Sequence, residues 1–166
     1  MLMGIDGLLD GQILKALCDM GHGDELAIVD SNYPAFSTAP STVLGFPLKM
    51  LGANAPQAIR AVLSVMPLDS FEAHVAWRME VVGDAEHLPA VQRDAQEEFD
   101  RLNDQTITMQ GVERFEFYRR AKACYAVLVT GETRAYGCFI LKKGVIFAGS
   151  DAIDDASDHA RSSKTY

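Results

Sequence analysis

At 166 residues, with 48% hydrophobic and 23% charged side chains, the chain has the size and balance of one globular domain that can bury its own core. A formal charge of −8 argues against a surface for nucleic acid or anionic membrane, and no apolar run approaches the roughly 20 residues of a membrane span. Cys18, Cys124 and Cys138 share no CxxC spacing, and no basic segment followed by a long apolar stretch leads the sequence; free thiols in a cytoplasmic protein are expected, not a disulfide frame or a zinc site.

Leu9, Ile13, Leu14, Leu17 and Cys18 recur at helical spacing, with Asp10 placed to cap the start and Gly21 to stop the end. Met20-Gly21-His22-Gly23-Asp24-Glu25 then reads as a glycine-flanked turn. The apolar run Leu26-Ala27-Ile28-Val29 follows as a buried strand and ends at Asp30. This order predicts an imidazole and a carboxylate brought toward the same edge of a sheet, and open α/β sheets hold ligands outside the carboxyl ends of their strands. Residues 31–40 are rich in turn formers and carry Tyr33 and Phe36. They read either as a binding loop or as a connection whose aromatics pack down.

Ala55 to Val65 reads as a helix with Ile59, Val62 and Leu63 on one face and Pro56 near its start. From Ala73 to Val82 apolar and polar residues alternate, which predicts a half-buried strand with His74 and Arg78 sharing a face. Leu88 to Leu102 is a charged helix with Val91, Ala95, Phe99 and Leu102 as its apolar stripe, and its carboxylates read as a solvated face. A short strand over Thr106 to Gln110 and a helix over Glu113 to Ala123, with Phe117 and Ala121 inward, come next. Strands follow at Tyr125 to Thr130, Tyr136 to Lys142 and Gly144 to Ala148. This alternation predicts a single α/β domain over residues 1–149, and the aspartate- and serine-rich segment 150–166 reads as a polar acidic tail.

The chain carries no P-loop, no GxGxxG after a strand and no GxSxG elbow, and its histidines form no HxH or HxxxH pair. What remains is acid–base chemistry. An imidazole can give or take a proton near neutral pH, so His22 is a candidate proton carrier, or it simply closes the helix before it. Asp30 either orients a polar group or makes an Asx-turn at the strand end. Arg114 suits polyhydroxylated or anionic ligands, or is a surface cation. Tyr136-Gly137-Cys138 either opens a strand in the ordinary way or lets a ligand approach the backbone at Gly137.

Several of these stretches, in register over about residues 10 to 145, resemble the RbsD/FucU family of sugar mutarotases, and most closely its fucose branch. They are Met20 to Glu25, the loop Asp30 to Pro34, Leu68-Asp69-Ser70 and Arg114-Phe115-Glu116-Phe117-Tyr118. Val129-Thr130-Gly131-Glu132, Tyr136-Gly137 and Leu141-Lys142-Lys143-Gly144-Val145 complete the set. The resemblance implies a layered α/β/α fold with a mixed central sheet. It also implies cofactor-free, metal-free interconversion of the anomers of an aldose, with L-fucose the first expectation. His22 falls at the family's catalytic histidine. Asp30, Arg114, Tyr136 and Gly137 fall at sugar-binding positions, with Tyr136 a candidate partner in proton transfer and Tyr118 a hydroxyl beside them. Cys138 stands where the resemblance calls for an asparagine and is a far weaker hydrogen-bonding group. The family's habit further implies a ring-shaped homo-oligomer, commonly a decamer, whose pocket a neighbouring subunit completes. A non-catalytic sugar-binding or transport-associated accessory protein is the alternative reading. A hydrolase with Cys138 as nucleophile is the third.

Overall fold

The computed structural model describes residues 2–102 and 107–147. Its centre is a six-stranded sheet in the order β2–β5–β1–β6–β3–β4, formed by Glu25–Val29 (β1), Leu48–Met50 (β2), Ala76–Met79 (β3), Gln110–Val112 (β4), Ala126–Thr130 (β5) and Phe139–Lys142 (β6). The paired strands are parallel except where β6 lies between β1 and β3 and opposes both. The helices are α1 (Gly11–Asp19), α2 (Ala35–Thr38), α3 (Ala55–Leu63), α4 (Ala90–Asp100) and α5 (Arg114–Ala121).

Alternation along the strands divides the core in two. Leu26 and Ile28 of β1 point to one face, where Ile13 and Leu17 of α1, Ile59 and Val62 of α3, and Val91 and Phe99 of α4 close the larger cluster. Ala27 and Val29 point to the other face and pack with Tyr33, Phe117 and Ala121 under α5. The result is the expected α/β/α layering with a mixed sheet. Helix starts follow local chemistry: the Asp10 side chain accepts from the backbone N–H of Gln12 and Ile13, and Asn54 and Gln57 form a reciprocal capping box. Among the described residues no helix is long and apolar enough to cross a membrane.

Several expectations need correction. The strand at 76–79 is buried on both faces, because β3 lies inside the sheet with a helix layer on either side. Arg78 is therefore buried, while His74 precedes the strand and is exposed, so the two share no face of it. The strand expected at 106–110 runs from Gln110 to Val112. No strand spans 144–147; Lys143 makes one isolated bridge to Leu68, and Gly144 then turns away, with its Cα so close to the Leu68 carbonyl that a Cβ would lie 2.3 Å from it. Ala148 and the tail 150–166 lie outside the described residues.

Candidate functional site

The sheet topology decides which residues can meet. Asp30 follows β1, Met79 ends β3, and Arg114 comes two residues after β4, so all three stand at the carboxyl ends of parallel strands. β6 runs the other way, so its beginning, with Tyr136 and Cys138 just before it, reaches the same end. A cavity of about 220 Å³ opens there, lined by Asp30, Asn32, Tyr33, Met79, Arg114, Tyr118, Ala135, Tyr136 and Cys138. The edge outside the carboxyl ends of the strands is where α/β sheets hold ligands.

Each wall has a physical cause. Asp30 is 5% exposed; its Oδ1 accepts from the Asn32 N–H at 3.0 Å, an Asx-turn that redirects the chain, and its Oδ2 lies 3.3 Å from Cys138 Sγ. Burial and the Asp30 carboxylate push the Cys138 thiol well above its ordinary range, so the S–H donates to Asp30 and is not a thiolate nucleophile. Tyr33 packs against Phe117 and Tyr118, and burial raises its hydroxyl to about 12, which leaves it a neutral hydrogen-bonding wall. Arg114 opens α5; its guanidinium stacks on Phe115 with 4.7 Å to the ring centroid, while its buried Nε has no hydrogen-bond partner among the described residues. A buried donor left in that state costs about 1–3 kcal/mol.

Tyr136 is held at φ 64°, alone among the described non-glycine residues in the left-handed region, where a residue with a Cβ carries about 1–3 kcal/mol of strain. Its hydroxyl reaches the Val82 N–H at 3.4 Å. At Gly137 a Cβ would meet Glu132 Cγ at 2.7 Å and Val91 Cγ2 at 3.3 Å, so its smallness lets the 131–138 connection lie on the protein itself. Glu132 anchors that connection. Burial alone would raise its carboxyl, but hydrogen bonds from the Arg134 side chain and backbone and from the Ala55 N–H outweigh it and hold the pKa below the usual value.

His22 is elsewhere. It precedes β1 whereas Asp30 follows it, and a five-residue strand rises roughly 16 Å, so the two groups lie at opposite ends of the sheet rather than at one edge. At the amino end His22 Nε2 lies 3.2 Å from Asp69 Oδ2, and the ring stands edge-on to Phe71 with centroids 5.4 Å apart. Asp69 is buried, and its Oδ1 accepts from the Phe71 N–H, so the carboxylate is fixed and in turn orients the imidazole. Gly23, at φ 84°, allows the turn, and its N–H donates to the Lys143 carbonyl at 2.9 Å. The Lys143 ammonium donates to the Leu17 and Met20 carbonyls at the end of α1.

Asp69, Asn32, Tyr33, Met79 and Ala135 join these two groups although residue chemistry gives none of them a site role. Asp69 lay in a stretch already matched to the family. Asn32 and Tyr33 lay in another such stretch, Asp30 to Pro34, whereas Met79 and Ala135 are ordinary side chains that only the packing brings to the cavity. A larger groove of about 590 Å³ runs between β3, β4 and α4, but its one buried cation, Arg78, is committed to Gln92 and to the Ala85 carbonyl. Among the described residues no three His, Cys, Asp or Glu side chains are arranged to hold a metal ion.

Fold and pocket together define an α/β domain with a small polar cavity at the carboxyl ends of its strands. The chain belongs to the RbsD / FucU transport protein family, whose model matches residues 3–146. It is 38% identical over 149 residues to the fucose mutarotase of Homo sapiens, an alignment covering 87% of this chain and 94% of that protein. It is 36% identical over 146 residues to the L-fucose mutarotase of Actinobacillus pleuropneumoniae, covering 87% and 97%. The fucose mutarotase of Streptococcus pneumoniae, solved in complex with L-fucose, superposes with a TM-score of 0.77 at 34% identity, covering 88% of this chain and 100% of that one.

Proposed function

We propose that the protein is an aldose mutarotase, an isomerase that interconverts the α and β anomers of L-fucose or a closely related aldose by acid–base ring opening and closure, with no cofactor. One observation carries the reading: Arg114, whose buried Nε has no partner among the described residues, lines a cavity whose other polar groups are the Asp30 carboxylate, the Asn32 amide, the Cys138 thiol and tyrosine hydroxyls, a set that suits a polyol. The relatives named fucose mutarotase, aligned over most of the chain, supply the reaction.

In this reading Asp30 and Arg114 hold sugar hydroxyls, Tyr118 lies beside them, and the backbone at Tyr136-Gly137 with Cys138 closes the floor. A base takes the proton from the anomeric hydroxyl, the C1–ring-oxygen bond breaks as the C1 carbonyl forms, and an acid delivers a proton to the ring oxygen. Rotation about C1–C2 and the reverse transfers close the ring on the other face. His22 is the principal proton carrier and Tyr136 its partner at the ring oxygen; such positioned groups contribute about 10²–10⁴-fold.

One chain cannot present both to one sugar, because His22 and the cavity lie at opposite ends of β1. We therefore place His22 of a second copy against the cavity, in a ring-shaped homo-oligomer that we take to be a decamer acting in the cytoplasm. The exposed rings of Phe71 and Phe147 beside His22 suit such a contact.

The test is NMR saturation transfer between the anomers of equilibrated L-fucose, with and without protein. Exchange accelerated by the protein and lost in His22→Ala, with the fold intact, is the expected result. No acceleration of fucose, ribose or galactose, with binding retained, would overturn the reading in favour of a sugar-binding accessory protein.

A further inference from the structure

The mechanism above uses Tyr136 but does not explain why a tyrosine stays at φ 64°, a conformation that its own sequence disfavours. The explanation lies in α4, which lines the opposite side of the 131–138 connection and has no part in the cavity. Gln92 of that helix is completely buried, and both of its amide hydrogens are spent on carbonyls: Nε2 donates to Met79 at 2.7 Å and to Tyr136 at 3.0 Å. Both recipients line the cavity. The amide cannot turn over, because Oε1 accepts from Arg78 Nη1 at 3.3 Å. Arg78 is itself buried and fixed by a second bond, from Nη2 to the Ala85 carbonyl at 2.9 Å.

The neighbours of Gln92 work in the same direction. Val91 receives the bare Cα of Gly137, and Asp94 pairs with Arg134 at 2.6 Å, so one turn of α4 grips the connection at three successive points. Only the middle grip reaches the backbone of Tyr136. A glutamine in a helix otherwise facing the core with Val91, Ala95 and Phe99 has no packing reason to be there, since a buried amide is tolerated only where every polar atom is matched.

We propose that Gln92 is a positioning residue for the sugar site: it holds Tyr136 in its left-handed conformation and ties it to Met79, with Arg78 fixing the direction of the amide. The proposal rests on the mutarotase reading for its kinetic consequence but not for its structural one. Gln92→Met keeps the volume and removes every hydrogen bond. Gln92→Glu keeps an acceptor for Arg78 but, when ionised, offers no N–H to either carbonyl.

The experiment measures anomer exchange, as separate kcat and KM, for both variants, together with the ¹H–¹⁵N resonances of Tyr136 and Gly137 without sugar. The expected result is a kcat lower by about 10- to 100-fold with KM changed only a few-fold, and Tyr136 and Gly137 resonances shifted or broadened while those of β1 and β5 stay in place. Should Gln92→Met fail to fold, Gln92→Glu carries the test, because Arg78 remains paired. Wild-type kcat and KM in a folded variant, or unchanged Tyr136 and Gly137 resonances, would overturn the proposal. If the wild-type protein turns over no aldose while the resonances still move, the mutarotase reading falls and the clamp on Tyr136 stands.

Discussion

At the carboxyl end of β1 the Asp30 carboxylate and the Cys138 thiol are buried and paired with each other beside a cavity, whereas at the amino end the imidazole of His22 stands with its side chain 47% exposed between an aspartate and an aromatic ring. The first end can recognise a ligand in a defined orientation and has no imidazole. The second has an imidazole with an orienting carboxylate, and the cavity of about 300 Å³ that Asp69 lines there does not count His22 among its walls. His22 and Asp30 are close in sequence, and the strand between them is what parts them. Under the proposed mechanism each end is half of a site, and assembly is part of the chemistry.

The most direct way to break that comparison is to damage the two ends in separate chains. His22→Ala and Arg114→Ala should each be nearly inactive alone, with losses of about 10²–10⁴-fold for the histidine. Unfolded and refolded together in equal amounts, they should regain about one quarter of wild-type exchange, because a quarter of the shared sites would draw an intact half from each chain. No recovery in mixed oligomers would mean that the halves are not shared between copies. Asp69→Asn sharpens the amino end: with the orienting carboxylate gone, exchange should fall by about 10-fold while the melting temperature hardly moves. An equal loss of rate and stability would make Asp69 a folding residue only.

Glu132 tests the carboxyl end through stability. Its folded pKa is depressed, so its contribution is present above the ordinary glutamate range near about 4.3 and is lost as pH falls through the lower folded value. Glu132→Gln should cost about 1–3 kcal/mol at pH 7 by leaving buried donors imperfectly matched, and the gap to wild type should narrow as denaturation is repeated toward pH 3. A gap constant with pH would refute the linkage. The smallest effect is expected from thiol alkylation. Exposed Cys18 should react, buried Cys138 with its raised pKa should not, and exchange should stay at the wild-type rate. Mass spectrometry locates the adduct, and loss of activity with Cys138 modified would revive a thiol-based reading.

Much of the architecture was readable from residue pattern alone. The Asp10 cap, the apolar run of β1, the stripe of Val91, Ala95 and Phe99 and the buried run of β5 each depend on neighbours within a few positions, and each lies where the pattern places it. β2 was not readable, because a strand of three residues, Leu48–Met50, is too short to show a period. Arg78 misled for a different reason: an alternating pattern normally means one wet face, and here the polar member is buried and satisfied by Gln92 and the Ala85 carbonyl. The site divided in the same way. Residue chemistry raised Asp30, Arg114, Tyr136 and Cys138 as candidates with alternatives open, resemblance added Tyr118, and the fold brings all five to one cavity. That His22 stands apart follows from strand direction and length, which no local motif expresses.

The sheet order has a consequence for the living chain as well. β1 is central, yet its partners are the last two strands: Leu26 faces Ala126 on one side and Leu141 on the other. Such distant pairings close slowly, since the entropy of a long loop is lost before the contact is gained. A nascent chain on the ribosome therefore carries its first strand unpaired through most of synthesis, and the cavity beside Asp30 comes into being only when Cys138 and the strand behind it have emerged.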